Sequence, residues 1–317
     1  MEEKNYTYKL SDYGFFEGKL AEMKTAKDVF KYEINAPLFS DYAHKARFIR
    51  LPAGEKVNYQ AERVFDFPIG TAIIKTFFYY KDERKTDSPR QIMETRVLLH
   101  EENGWIALPY IWNEEQTDAF LEVAGGNIDI KWKDAQGKKQ ELNYKVPNMV
   151  QCKGCHSYDK EMTPIGPSAR QLHLGDQLST WSKKDYINDL PNLSEISALA
   201  RWQHPESGTL EERARAYLDG NCGHCHHPKG PASTSGMFLT TYFNDPTTLG
   251  INKAPIAAGR GAGGRPFSIV PGQPNQSIML YRLESTDPGE MMPEVGRQMR
   301  HKEGTDLIRA WIKSMKE

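Results

Sequence analysis

Asn221-Cys222-Gly223-His224-Cys225-His226 and the earlier Cys152-Lys153-Gly154-Cys155-His156 decide how the rest of the chain is read. Each contains C-x-x-C-H. This is the spacing by which two thiols add to the vinyl groups of a porphyrin while the next residue turns an imidazole towards its iron. The chain has 4 cysteines, and the two motifs use all of them. None is left for a disulfide, a catalytic thiol or a separate metal centre. One zinc site built from both C-x-x-C pairs is the main competitor. However, 66 residues lie between Cys155 and Cys222, against roughly 15–20 in the compact zinc pattern. A redox dithiol would account for either pair alone. Neither alternative calls for a histidine directly after the second cysteine. With 9 His in 317 residues, chance supplies one about 3% of the time and both about 0.1%. The motifs therefore predict two covalently attached haem c groups, bound through Cys152, Cys155, Cys222 and Cys225, with His156 and His226 as iron ligands.

Working outward, 317 residues are long for one domain and comfortable for two. A formal net charge of −1 gives no basic field to attract nucleic acid or an acidic membrane surface. Mean hydropathy is −0.66, and no run approaches the ~18 apolar residues that would span a bilayer. The start, Met1-Glu2-Glu3-Lys4-Asn5-Tyr6, is charged and polar, unlike a secretory signal. Because haem c is attached after export, the expectation is that the native precursor carries a signal or lipoprotein leader. The protein is then periplasmic or on the outer surface.

Residues 1–35 read as a mixed N-terminal extension anchored by Leu10-Ser11-Asp12-Tyr13-Gly14-Phe15-Phe16. Residues 36–175 read as β-rich and carry the first motif. Ala72 to Tyr80 is dense in β-branched and aromatic residues. Thr95–His100 and Trp105–Trp112 flank Glu102-Asn103-Gly104, and residues 127–132 and 141–146 flank Asp134-Ala135-Gln136-Gly137. Both pairs predict hairpins. Residues 176–317 are expected to be helical and to carry the second motif. Thr209, with Glu212 three residues on, forms a capping box opening a helix that runs towards Asn221. A closing helix at about 305–316 places Leu307, Ile308, Trp311, Ile312 and Met315 on one stripe. A Gly/Pro-rich connection, 259–266, lies between. The expected fold is thus α+β: an N-terminal antiparallel sheet or barrel followed by an all-α cytochrome c-like domain.

The sixth iron position is less determined. For the second haem, Glu290-Met291-Met292-Pro293-Glu294-Val295-Gly296 offers a thioether, a soft donor that suits electron carriers. The proline directly after it favours Met292 over Met291. His224 and His227 are too close to His226 in sequence to reach the opposite ring face, and are assigned to solvent or propionates. For the first haem Met149, Met162, His173, Met93, His44 and His100 are all open. Pro167, after Gly166, offers a carbonyl to the ring N–H of the proximal histidine, or is an ordinary loop proline.

Several segments resemble the bacterial diheme c-type cytochromes often encoded beside parallel β-helix proteins. They are residues 32–43 (YEINAPLFSDYA), Glu94-Thr95-Arg96, Tyr110-Ile111-Trp112-Asn113, Pro164-Ile165-Gly166-Pro167, residues 213–218 (RARAYL) and Met291-Met292-Pro293. The resemblance runs from about residue 10 to the C-terminus and implies an exported protein with two covalent haems. It brings no firm activity. A weaker one concerns Phe67-Pro68-Ile69-Gly70-Thr71 running into Ile74-Lys75-Thr76-Phe77. These are similar to β-sheet monohaem cytochromes that oxidise hydroxylamine or bind nitric oxide and keep an open distal site. No residue here is matched to the lysine–haem cross-link of the hydroxylamine oxidisers.

The first expectation is a diheme carrier that transfers single electrons between redox protein partners, with iron as its metal and no nucleic acid partner. The second is a haem enzyme, an oxidoreductase whose first iron is open to peroxide or a small nitrogen oxide and is relayed by the second. A third, a carbohydrate-binding module using the aromatic sheet, rests on composition alone.

Overall fold

In the computed structural model, which describes residues 6–85, 87–256 and 258–316, the strand expected at 72–80 lies inside a six-stranded sheet. Its strands are β1 (Val29–Lys31), β2 (His44–Arg50), β3 (Ala72–Tyr80), β4 (Arg90–Glu101), β5 (Gly104–Trp112) and β6 (Ala119–Leu121). Each is antiparallel to the next in chain order, giving an open meander rather than a closed barrel. Glu102 and Asn103 make the tight β4–β5 connection. A separate hairpin, β7 (Gly126–Lys133) and β8 (Lys139–Val146), buries Ile130 and Trp132 at alternate positions, the period of a strand with one wet face.

The two faces of the meander differ. One is mainly apolar: Phe48, Ile74, Val97 and Leu108 pack under Leu10, Phe15, Leu20 and Met23 of the N-terminal segment, with Thr76 and Thr95 paired at 2.8 Å among them. The other is divided. Ile49, Ile73 and Leu98 pack with Cys152, Leu172 and Trp181, whereas Phe77 and Tyr79 pack with Trp132 and Tyr144 of the hairpin. Between these clusters the strand register sets Arg47, Lys75 and Arg96 side by side.

Helices follow: α1 (Met149–Cys155), α2 (Ala169–Leu172), α3 (Gln177–Lys183), α4 (Leu210–Leu218), α5 (Ile278–Glu284) and α6 (Lys302–Ser314). The capping box at Thr209 forms in both directions, and Leu307, Ile308, Trp311 and Ile312 of α6 are buried. Nevertheless, the expectation of an all-α cytochrome c-like domain over 176–317 is wrong. The molecule is 24% helix and 25% strand, and α3 to α6 span 7 to 13 residues each. Within the same interval Ile187–Asn188 pairs in parallel with Val57–Asn58, and bridges link Ile251 to Ile269 and Phe267 to Ser277. The helix signals at 209–218 and 302–314 were sound but local. Building a whole all-α domain on them was not, because a strand partner far away in sequence leaves no local period. Among the described residues no helix is long and apolar enough to cross a membrane. The charged start, Met1 to Asn5, lies outside the described residues.

Candidate cofactor and metal centre

The first motif is presented by α1. Asn148 accepts from the Gln151 backbone while the Gln151 side chain returns to Asn148, so the helix is capped one residue before it begins. Cys152 and Cys155 then lie three residues apart, on one helical face. Cys152 is buried against the sheet, and His156 leaves the helix as its C-cap. The His156 Nδ1 meets the Thr163 carbonyl at 3.2 Å. That bond fixes the tautomer and leaves Nε2 free to bind a metal. The acceptor is not Pro167, whose carbonyl takes the Phe65 N–H at 3.3 Å. Burial, with Lys75 and then His224 nearby, pushes the His156 pKa down to about 3, so the ring is neutral at pH 7.

The second motif emerges from α4 through a π-helical turn at Asp219–Gly223, a distortion common at functional sites. Gly220 is required there, because a Cβ would sit 2.4 Å from the Ala36 carbonyl oxygen. The Asn221 side chain accepts from the Phe39 N–H at 2.8 Å and donates to the Tyr217 carbonyl at 2.9 Å. It thereby ties residues 36–39 to the motif. His226 Nδ1 lies 3.3 Å from Ser235 Oγ, and burial lowers its pKa to about 4.

The two motifs meet. Cys155 Sγ, Cys225 Sγ and a ring nitrogen of His224 all lie within 4.8 Å of one another. The Cys225 thiol hydrogen-bonds to Cys155, which lowers the Cys155 pKa and raises that of Cys225. Burial pushes the Cys222 thiol up to about 12. The Nδ1 of His224 is buried with no hydrogen-bond partner in the protein.

Beside this cluster a recess, open at its mouth, is lined by Cys152, Cys155, His156, His224, Met292 and His301, with Lys75, Arg96 and Arg297 in its wall. Met292 faces this recess, whereas Met291 is 7% exposed in the core. Arg297 holds the Met292 loop through the Met292 carbonyl at 3.1 Å. The loop is tied to the front of the molecule by Asp41, which accepts from Gln298 and Met299 N–H groups at 2.8 and 2.7 Å.

None of the six distal candidates for the first motif lines the recess. His44 pairs with Glu83 at 2.8 Å, His100 binds the Phe67 carbonyl at 2.9 Å, and His173 binds that of Ile196 at 2.8 Å. Met93 is core, while Met149 and Met162 pack at the edges of the two sheet clusters. His227 stacks on Tyr158.

Sequence reasoning missed His301. It is 7% exposed, lies parallel to the Phe39 ring at 4.1 Å and meets Tyr217 Oη at 3.1 Å. Burial, then Lys45 and Arg297, lowers its pKa to about 3. The one available signal was its place just before a helix, which says nothing of a recess. Lys75 and Arg96 were missed too, although Lys75, the one charged residue of Ala72–Tyr80, was a clue. No family model, curated protein or solved structure matches this chain.

Proposed function

We propose that the chain is an exported diheme c-type cytochrome that passes single electrons between redox protein partners. The observation that carries this reading is the convergence of two C-x-x-C-H motifs far apart in sequence, with Cys155 and Cys225 side by side. Two attachment points in one place suit a two-centre relay. The residues fit covalently attached porphyrin. All four thiols are free, each motif ends in a neutral imidazole engaged through Nδ1, and a recess opens beside Cys152, Cys155 and His156. Bound there, haem supplies an iron centre that accepts and returns one electron. The protein's own part is to hold the imidazoles in one tautomer, to offer Met292 and His301 as further donors, and to shield the centre behind Phe39 and the Met292 loop.

A second reading has a specific observation behind it. Two neighbouring sulfurs and an orphaned imidazole nitrogen, at Cys155, Cys225 and His224, are a donor set for a thiophilic ion such as zinc. The same sulfurs cannot serve both.

Reductive titration of protein matured in a host that attaches c-type haem separates the cases. The carrier takes up two electrons per chain, and its ferrous spectrum does not change with CO. A CO shift in one haem moves the assignment to a haem enzyme with an open position. Stoichiometric zinc without covalent haem establishes the second reading.

A further inference from the structure

The sheet face that looks towards α1 is apolar at both ends and cationic in the middle. Arg47, Lys75 and Arg96 are direct cross-strand partners on β2, β3 and β4. Ile49, Ile73 and Leu98 form the next row of that face on one side, while Phe77 follows on the other. Like charges directly opposite one another destabilise a sheet, so such a row needs negative charge beside it.

The protein supplies that charge unevenly. Arg96 is held bidentate by Glu94, with Nε to Oε2 at 2.8 Å, and Glu94 in turn accepts from Tyr144 at 2.6 Å. Arg47 reaches only the half-exposed Glu33, at 3.7 Å. Lys45, on the same face, spends its ammonium on the Leu38 carbonyl at 2.6 Å. Lys75 has the Phe77 ring 5.0 Å from its ammonium and no hydrogen-bond or ion-pair partner among the described residues. Burial, then Arg47, Lys45 and Arg96, hold its pKa well below the usual lysine value, with only Glu94 opposing. Yet Lys75 and Arg96 open onto the recess that contains Cys152, Cys155 and His156.

We propose that Lys75, flanked by Arg96 and Arg47, is a receptor for an oxyanion in the recess, and that this anion is a carboxylate carried by the macrocycle bound to Cys152 and Cys155. The second half rests on the diheme reading; the first does not. A carboxylate there makes charge-assisted bonds to a half-buried cation and supplies the charge that the row lacks. A free oxyanion from solution offers the same chemistry, so the test has two arms.

In the first arm, haem-loaded wild type, Lys75→Met and Lys75→Arg are compared by intact mass and by the midpoint potential of each haem. Removing a cation favours the ferric state, so Lys75→Met lowers the potential of one haem and leaves the other, while Lys75→Arg restores it. In the second arm, the thermal midpoints of wild type and Lys75→Met are measured in inorganic phosphate and in chloride at equal ionic strength. Unchanged potentials, with phosphate stabilising wild type alone, keep the receptor and make its anion a free one. A wild type without two haems breaks the diheme reading, and the phosphate arm still decides the receptor. Potentials and phosphate response both indifferent to Lys75 overturn it.

Discussion

Between Ala72 and Trp112 three strands follow one another with a single bulge at Phe77/Phe78 and a tight turn. Between Asp219 and Ser277 a longer stretch contains no α-helix and no paired strand among its described residues, only single turns and isolated bridges. The first region satisfies its backbone in a ladder, which frees its side chains to divide into an apolar face and a striped one. The second must satisfy buried backbone groups with side chains. Arg215 reaches the carbonyls of Thr240 and Phe243, Asp219 accepts from the Thr241 N–H at 2.8 Å, and Ser277 accepts from Val270 at 2.9 Å. Its apolar support comes from α4, α5 and α6 on one side. Under the function proposed here, the group at the second motif supplies the rest. The sheet is a scaffold complete in itself; the loops are a casing.

Four changes sharpen that contrast. The largest effect is expected from Glu94→Ala, which leaves Arg96 and the Tyr144 hydroxyl without their shared partner. Because Arg96 keeps some exposure (27%), the loss is about 3 kcal/mol, the lower end for breaking a buried pair. Urea unfolding should show it, with faster amide exchange in β3 to β5. In the casing, Gly304→Ala drives a Cβ to within 2.3 Å of the Tyr217 ring at the α4–α6 contact. Overpacking there costs ~1–3 kcal/mol, and the exchange change should be confined to α4 and α6.

The third change concerns pH. In the haem-free chain His301 is held neutral, with its pKa near 3, whereas an unfolded histidine titrates near 6.5. The unfolded state therefore binds the extra proton in the window between those values. Stability falls as pH drops through that window, by up to ~1.4 kcal/mol per pH unit for one such group. His301→Phe keeps the stack on Phe39 and should flatten the fall of the thermal midpoint between pH 6.5 and 5. The smallest effect is that of Thr209→Ala, which removes a cap and costs about 1 kcal/mol, read as lost helicity at the start of α4.

How much of this was legible follows the same division. The strand at 72–80, both hairpins and the capping box at Thr209 announce themselves through periods and turn residues only a few positions apart. β1, β2 and β6 do not, because Val29–Lys31 and Ala119–Leu121 are too short for a period and His44–Arg50 interrupts its own with cations. The Gly/Pro-rich connection at 259–266 reads as loop, but the domain around it reads as all-α because its ends are helical. The attaching cysteines are plain from spacing. That Cys155 and Cys225 are neighbours, that His301 and Met292 face one recess, and that Lys75 lacks an anion all depend on contacts across long separations, which local pattern does not encode.

The central claim is that the two converging motifs carry covalent haem. Intact mass of the protein matured in a host that attaches c-type haem tests it most directly. The expected result is a gain of two haems per chain, falling to one when Cys152 and Cys155 are both replaced by serine. An unchanged mass in the wild type, with all four thiols still open to alkylation, contradicts it.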